Sequence, residues 1–266
     1  MSSVDDLFAK LRAENRKALM PFLTAGDPDL EFTAAMIEEL VARGASLCEV
    51  GIPYSDPIAG GPVIQESYTR ALQQGVKVES ILQTLGKVAP RVEAPLVTMV
   101  SHAIIYRHGP EKYADALLEC GVAGMIVPDL PVEESPRLAA ICAARDLSLI
   151  QLVTPTTSRD RALKIAETSS GFLYYVSVAG ITGERATLPP ELQERVSWLR
   201  QQTPLPVCIG FGISKPEHVK LLAPVADGLI VGSAIVRRMA DAETQGREQT
   251  LRGVAEYVSS LLAAFE

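Results

Sequence analysis

The sequence predicts an α/β protein, a single (β/α)8 TIM barrel with an extra N-terminal helix, on three observations. Short runs of β-branched and aliphatic residues alternate with longer amphipathic stretches, the pattern of repeated β-α units around a parallel sheet. Eight such units can be counted. The length of 266 residues suits such a barrel, which needs roughly 250. No linker, low-complexity segment or shift in composition interrupts the chain, so one domain over 1–266 is expected.

The strands are expected at 18–25, 46–51, 95–100, 124–128, 148–153, 172–178, 206–211 and 228–231. Before the first strand, 4–15 reads as a helix that closes the bottom of the barrel. Residues 29–43 follow a helical period, with Leu30, Ala34, Ile37 and Val41 on one face, and 133–145 do the same with Leu138, Ile141 and Cys142. Asp29 and Ser135 are suited to capping or to a first turn. The longest gap, between the second and third strands, has room for two helices at about 63–74 and 77–89. A doubly wound open sheet is the other closure for this pattern. The count and regular spacing favour the barrel, and no Gly-x-Gly-x-x-Gly follows the first strand.

Composition narrows the class of function. Hydrophobic residues make up 47% and charged residues 21%, with a net charge of −7, which disfavours nucleic acid or an anionic membrane as partner. The N-terminus has neither a basic nor an apolar leader region, and no apolar run approaches the roughly 20 residues that span a bilayer. A cytoplasmic location is the expectation. Cys48, Cys120, Cys142 and Cys208 lie far apart in apolar contexts, as reduced core thiols do rather than disulfides or zinc ligands.

Glu49 stands alone as a carboxylate in a run, 46–53, that otherwise reads as a buried strand. Burying an ionised carboxylate without partners is costly, so a working acid or base is one reason for it; ordering the neighbouring loops is the other. Strand alternation puts Leu47, Glu49 and Gly51 on one face and Cys48 and Val50 on the other. If the second set meets the helices, Glu49 points into the barrel near its carboxyl end. An apolar surrounding there would raise its pKa and let it both give and take a proton.

Three glycine loops follow the last three strands, at 179–183, 210–214 and 231–234. Glycine lets backbone N–H groups approach an anion, and the loops after the seventh and eighth strands are the usual phosphate site of such barrels. The lysines fall on helices, loops or strand starts, against a Schiff-base mechanism. Of the histidines only His102 is near a strand end, so no metal cluster is expected.

With these residues placed, the chain resembles the tryptophan synthase alpha chain family. The matching motifs are 21–28 (PFLTAGDP), 49–57 (EVGIPYSDP), 128–134 (PDLPVEE), 174–183 from Tyr174 to Gly183, and 210–214 (GFGIS), so essentially the whole chain is covered. The resemblance implies retro-aldol cleavage of indole-3-glycerol phosphate to indole and glyceraldehyde 3-phosphate in tryptophan biosynthesis. No cofactor is implied in this chain, and the partner is a pyridoxal phosphate-dependent beta chain in an alpha2-beta2 assembly. It further implies Glu49 as the acid/base and Phe22, Ile64, Met99, Ile126, Leu152, Tyr174 and Thr182 around the indole. The phosphate falls to Gly183, Gly212, Gly232 and Ser233, and the partner loop to Pro53, Asp56 and Pro57. Ile126 and Leu152 read equally well as barrel core.

Two positions depart from the family pattern. Where the family carries a second carboxylate that hydrogen-bonds the indole nitrogen, this chain has Gly60, and where it usually has an Asn after the third strand, this chain has Ala103. Losing one such stabiliser costs on the order of 3 kcal/mol, about a hundredfold in rate. Asp56 and Asp129 are the nearest carboxylates in the motif regions. Two alternatives stand beside the lyase: a weakened barrel that mainly docks onto and activates the beta chain, and a phosphate-substrate barrel enzyme of other specificity.

Overall fold

The computed structural model describes residues 2–55, 57, 60–177 and 191–265. Eight parallel strands close a barrel in chain order. They are β1 (Ala18–Thr24), β2 (Cys48–Gly51), β3 (Leu96–Met99), β4 (Gly124–Ile126), β5 (Ser148–Val153), β6 (Leu173–Val176), β7 (Val207–Gly210) and β8 (Gly228–Val231), with β8 pairing back onto β1. Each lies within the run expected for it: β5 and β8 coincide with it, and the other six strands are shorter by one to three residues.

The helix α1 (Ser3–Ala13) precedes the barrel, and α2 (Leu30–Ala42) is the first crossover. Two helices, α3 (Pro62–Gln73) and α4 (Val78–Val88), fill the long gap between β2 and β3, and α5 (His102–His108) and α6 (Pro110–Glu119) follow β3. After β4 come α7 (Ser135–Ala143), α8 (Arg159–Glu167) and α9 (Leu192–Gln202), each after its own strand. The chain ends with α10 (Pro216–Leu222), α11 (Ser233–Met239), α12 (Ala242–Gln245) and α13 (Arg247–Leu262).

Strand alternation sorts the core into two parts. Cys48 and Val50 of β2 and Leu173 and Tyr175 of β6 pack outward against the helices. Leu47 just before β2, Tyr174 and Val176 of β6, and Ala18 and Met20 of β1 fill the barrel interior. Glu49 has the parity of Leu47 and therefore points inward. On α2 the face in deepest contact is rotated from the expected one: Phe32, Met36, Ile37 and Leu40 are fully buried, whereas Leu30, Ala34 and Val41 are partly buried beside them. The crossover leans so that the larger side chains take the core side.

The lower end is plugged by α1. Val4, Phe8 and Leu11 enter the interior cluster, with the Phe8 ring 5.6 Å from that of Phe172. Ser2 and Asp5 form a capping box, Ser2 Oγ lies 2.7 Å from Ser148 Oγ, and Asp5 Oδ1 accepts the Gly171 N–H at 3.2 Å. The cap thus fixes the plug to the starts of β5 and β6.

At the other end, Asp27 in the turn between β1 and α2 is 2% exposed and accepts two hydrogen bonds from Arg70 of α3, at 2.9 and 2.6 Å. Ser67 Oγ also donates to Asp27. Three bonds hold α3 against the top of β1 and set the position of its inward side chains. Arg70→Ala leaves the Asp27 carboxylate buried without its cation and is expected to cost about 2 kcal/mol of stability. Urea titration checks this, with a lowered midpoint and an unchanged m-value as the expected result.

Candidate active site

The carboxyl ends of the strands enclose a cleft of about 750 Å³ of empty space. One wall comes from α3, which offers Ile64 and Tyr68 one turn apart, together with Tyr54, Pro57 and Gly60 from the segment before it. Phe22 of β1 and Met99 of β3 stand between that wall and Tyr174 of β6. Phe211, Gly212 and Ile213 after β7, and Gly232, Ser233 and Ala234 after β8, close the far side. The described lining carries no charged side chain.

Glycines at strand ends make room for the rings. A Cβ on Gly51 would lie 2.5 Å from Phe22 Cζ and 2.7 Å from the Tyr68 hydroxyl, and one on Gly210 would lie 2.2 Å from the Tyr174 hydroxyl. Any side chain at either position would displace an aromatic ring from the cleft.

Glu49 lies beneath this cleft, level with Phe22 on one side and Val97 on the other. It is fully buried, and neither carboxyl oxygen has a hydrogen-bond partner among the described residues. Burial therefore pushes its pKa well above the ordinary carboxylate range. Tyr174, whose own pKa is raised by burial and by the Glu49 charge, lies close to it. Burial in this setting favours the protonated form, from which a carboxyl group acts first as an acid and only then as a base.

The structure brings Phe22, Ile64, Met99, Tyr174, Gly212, Gly232 and Ser233 together around one cavity. Ile126 is sealed in the interior cluster, and Leu152, half-buried, packs against the same cluster; neither borders the cleft. Pro53 is buried within the chain, while Pro57 is half-buried and borders the cleft. Asp56, Thr182 and Gly183 lie outside the described residues. Asp129 is engaged, accepting hydrogen bonds from Ser101 Oγ at 2.7 Å and from His102 N–H at 2.8 Å.

At the glycine end, Phe211 and Gly212 both have positive φ, 73° and 75°. Consecutive residues of this kind turn the chain sharply, which favours glycine and is uncommon for Phe. Gly232 precedes α11 and its carbonyl accepts the Ile235 and Val236 N–H groups at 2.8 and 3.1 Å, so of the first-turn donors those of Ser233 and Ala234 are the ones outside the helix ladder. Gln65 Nε2 donates to the Gly60 carbonyl at 2.7 Å, and a Cβ on Gly60 would meet Pro57 and Ile64 at 3.3 to 3.4 Å. A side chain there needs only slight give from its neighbours. No group of three or more His, Cys, Asp or Glu among the described residues is placed to hold a metal ion, and no described helix is long and apolar enough to cross a membrane.

Tyr54 and Tyr68 were not singled out by the sequence reading. Their signal was there: Ile64, Ser67, Tyr68 and Ala71 follow the i, i+3, i+4, i+7 pattern of a buried helix face. Such a face normally reads as core. Only the position of α3 above the open end turns its upper members toward a cavity.

Fold and cleft together define a (β/α)8-barrel enzyme with its chemistry at the carboxyl ends of the strands. The model of the family "Tryptophan synthase alpha chain" matches residues 8–265. The tryptophan synthase alpha chain of Rhodopirellula baltica is 60% identical over 245 residues, covering 91% of this chain and 88% of its own. That of Acaryochloris marina is 42% identical over 98% of this chain and 97% of its own. The solved tryptophan synthase subunit alpha of Legionella pneumophila superposes with a TM-score of 0.91 at 34% identity, covering 100% of this chain and 98% of its own. A chain of Mycobacterium tuberculosis tryptophan synthase gives 0.89 at 32% identity, over 99% and 98%. The chain belongs to the tryptophan synthase alpha chain family.

The raised pKa of Glu49 also makes stability depend on pH. Unfolded, the carboxyl titrates near 4.3; folded, it keeps its proton well above that. Between the two values the native state binds more protons than the unfolded one, so stability falls as pH rises through this window. Glu49→Gln removes that slope. Thermal unfolding across pH 4 to 8 should show the variant gaining stability over the parent as pH increases, with little difference at the acid end.

Proposed function

We infer that this chain is a lyase of tryptophan biosynthesis, cleaving indole-3-glycerol phosphate to indole and glyceraldehyde 3-phosphate, with Glu49 as general acid and base. The observation that carries the chemical role is the sealed carboxyl group beneath an apolar, glycine-rimmed cleft. In this reading the protonated Glu49 delivers its proton to the indole ring carbon that bears the glycerol chain. The ring becomes a cationic indolenine able to accept an electron pair. Glu49, now a carboxylate, takes the proton of the adjacent glycerol hydroxyl; the carbon–oxygen double bond of the aldehyde forms, the carbon–carbon bond breaks and its electrons restore the indole. One proton enters and one leaves, so the carboxyl group returns to its first state.

The rest of the cleft supports the same substrate. Phe22, Ile64, Met99 and Tyr174 offer flat apolar surface for an indole, and the uncharged walls leave the phosphate to backbone N–H groups at Gly212, Gly232 and Ser233. Ile126 and Leu152 are read as support beneath that surface, and Thr182 and Gly183 as members of the loop that completes the site. The protein partner is the beta chain, for which Pro53, Asp56 and Pro57 form the docking loop, and pyridoxal phosphate belongs to that partner. We read residues 1–266 as one domain acting in the cytoplasm, in keeping with four free cysteines.

Gly60 favours a second reading, in which the barrel docks onto the beta chain and activates it but cleaves slowly. Indole release by the purified chain, alone and with beta chain, separates the two. Glu49→Gln is expected to lower the rate by about 10²- to 10⁴-fold, and Gly60→Asp to raise it by up to about a hundredfold. If the unmodified chain works no faster than Glu49→Gln, the docking reading replaces the catalytic one.

A further inference from the structure

Tyr68 carries its hydroxyl to the edge of the cleft and makes no hydrogen bond with it among the described residues, although the residue is only 3% exposed. The oxygen is not sealed away: it keeps access to the open space of the cleft, where a bound ligand can reach it. The ring is held firmly. Tyr54 meets it edge-on at 5.7 Å and 62°, and a Cβ built on Gly51 would touch both the Tyr68 hydroxyl and the Phe22 ring.

That contact also fixes where the hydroxyl stands relative to Glu49. Gly51 is the next inward position on β2 after Glu49, about 7 Å along the strand. The phenol oxygen therefore overhangs the carboxyl group from the α3 side. Gly60 belongs to the same wall, since a Cβ there would lie 3.4 Å from Ile64 Cβ, and Ile64 is one turn before Tyr68. Tyr54 shares this wall and buttresses the Tyr68 ring; the remaining polar side chains of the cleft are elsewhere. Tyr174 stands over Gly210 on the opposite strands, and Ser233 opens α11 at the glycine end.

We propose that Tyr68 takes the place of the carboxylate missing at Gly60, its hydroxyl oxygen accepting the hydrogen bond of the substrate's indole N–H while Glu49 protonates the ring carbon. The assignment rests on the indole-3-glycerol phosphate reading above. A neutral phenol oxygen has lone pairs for an N–H donor while its own proton turns away, and burial keeps Tyr68 protonated by raising its pKa. As the ring carbon gains its proton, positive charge grows on the nitrogen and the N–H becomes a stronger donor. The bond therefore stabilises the transition state more than the bound substrate. A neutral acceptor supplies less than a carboxylate, so the exchange preserves the reaction at reduced speed.

The test combines binding and turnover. Calorimetry compares 3-(indol-3-yl)propyl phosphate, the substrate skeleton without its hydroxyls, with its N-methyl derivative, and cleavage of indole-3-glycerol phosphate is followed with beta chain present. The parent chain is expected to prefer the N–H ligand by about three- to tenfold, and Tyr68→Phe, which keeps the ring, to lose that preference by weakening the N–H ligand alone. In turnover, kcat of Tyr68→Phe is expected to fall about 10- to 100-fold, further than KM rises. Adding Gly60→Asp to Tyr68→Phe restores it. If Tyr68→Phe keeps the preference, or binds both ligands equally less well, the hydroxyl has only a packing role and the proposal is overturned. If the parent binds neither ligand, the substrate reading itself falls and Tyr68 falls with it.

Discussion

The burial of one carboxyl group inside the barrel constrains everything around it. Glu49 occupies an interior position with neither oxygen partnered among the described residues, and such a group is tolerated only if it stays protonated. The scaffold meets that requirement with apolar neighbours, Phe22 and Val97 in register on the flanking strands and Leu47 one inward step below. What makes the residue expensive to bury also makes it useful. A carboxylic acid whose proton is favoured by burial, placed beneath a cleft, is suited to protonating carbon.

That open space depends on small residues and on the anchoring of α3. Gly51 and Gly210 leave room for the rings of Phe22, Tyr68 and Tyr174, which would otherwise collide with strand side chains. The Asp27, Ser67 and Arg70 bonds draw α3 over the top of β1, so Ile64 and Tyr68 become cleft residues instead of ordinary core. At the lower end, the capped plug of α1 allows the interior to be filled from below. The cleft is thus what remains when one end of a packed barrel is closed and the other is lined with glycine and aromatic rings.

The replacement of a carboxylate by Gly60 changes the electrostatics of this cleft more than its shape. The described lining carries no charge, so in the proposed reaction a cationic transition state is met by neutral oxygens and by the negative charge that develops on Glu49 as it gives up its proton. Asp129, one of the two carboxylates the sequence offered as a substitute, is occupied by Ser101 and His102. The polar duty falls to the phenols that the rings already bring to the site, a distribution that trades strength of stabilisation for a drier pocket.

Much of this was legible in the chain itself. Alternation within 46–51 grouped Glu49 with Leu47 and Gly51 on one face, because strand side chains alternate with period two; that this face turns inward came with the packing of Cys48 and Val50 against the helices. Eight strands in regular sequence fixed the barrel, and the glycine loops marked its carboxyl end. Tyr68 was not legible, since a tyrosine on the buried face of a helix has the same local signature in a core as in a cavity wall. Its place above Glu49 follows from contacts between residues far apart in sequence, Asp27 with Arg70 and Gly51 with Tyr68, which local periodicity does not encode. The sequence alone determined the strand that carries Glu49 and the family; the tertiary structure decided which groups surround that carboxyl, because only closure of the barrel sets α3, β2 and the segment at Gly60 around one space.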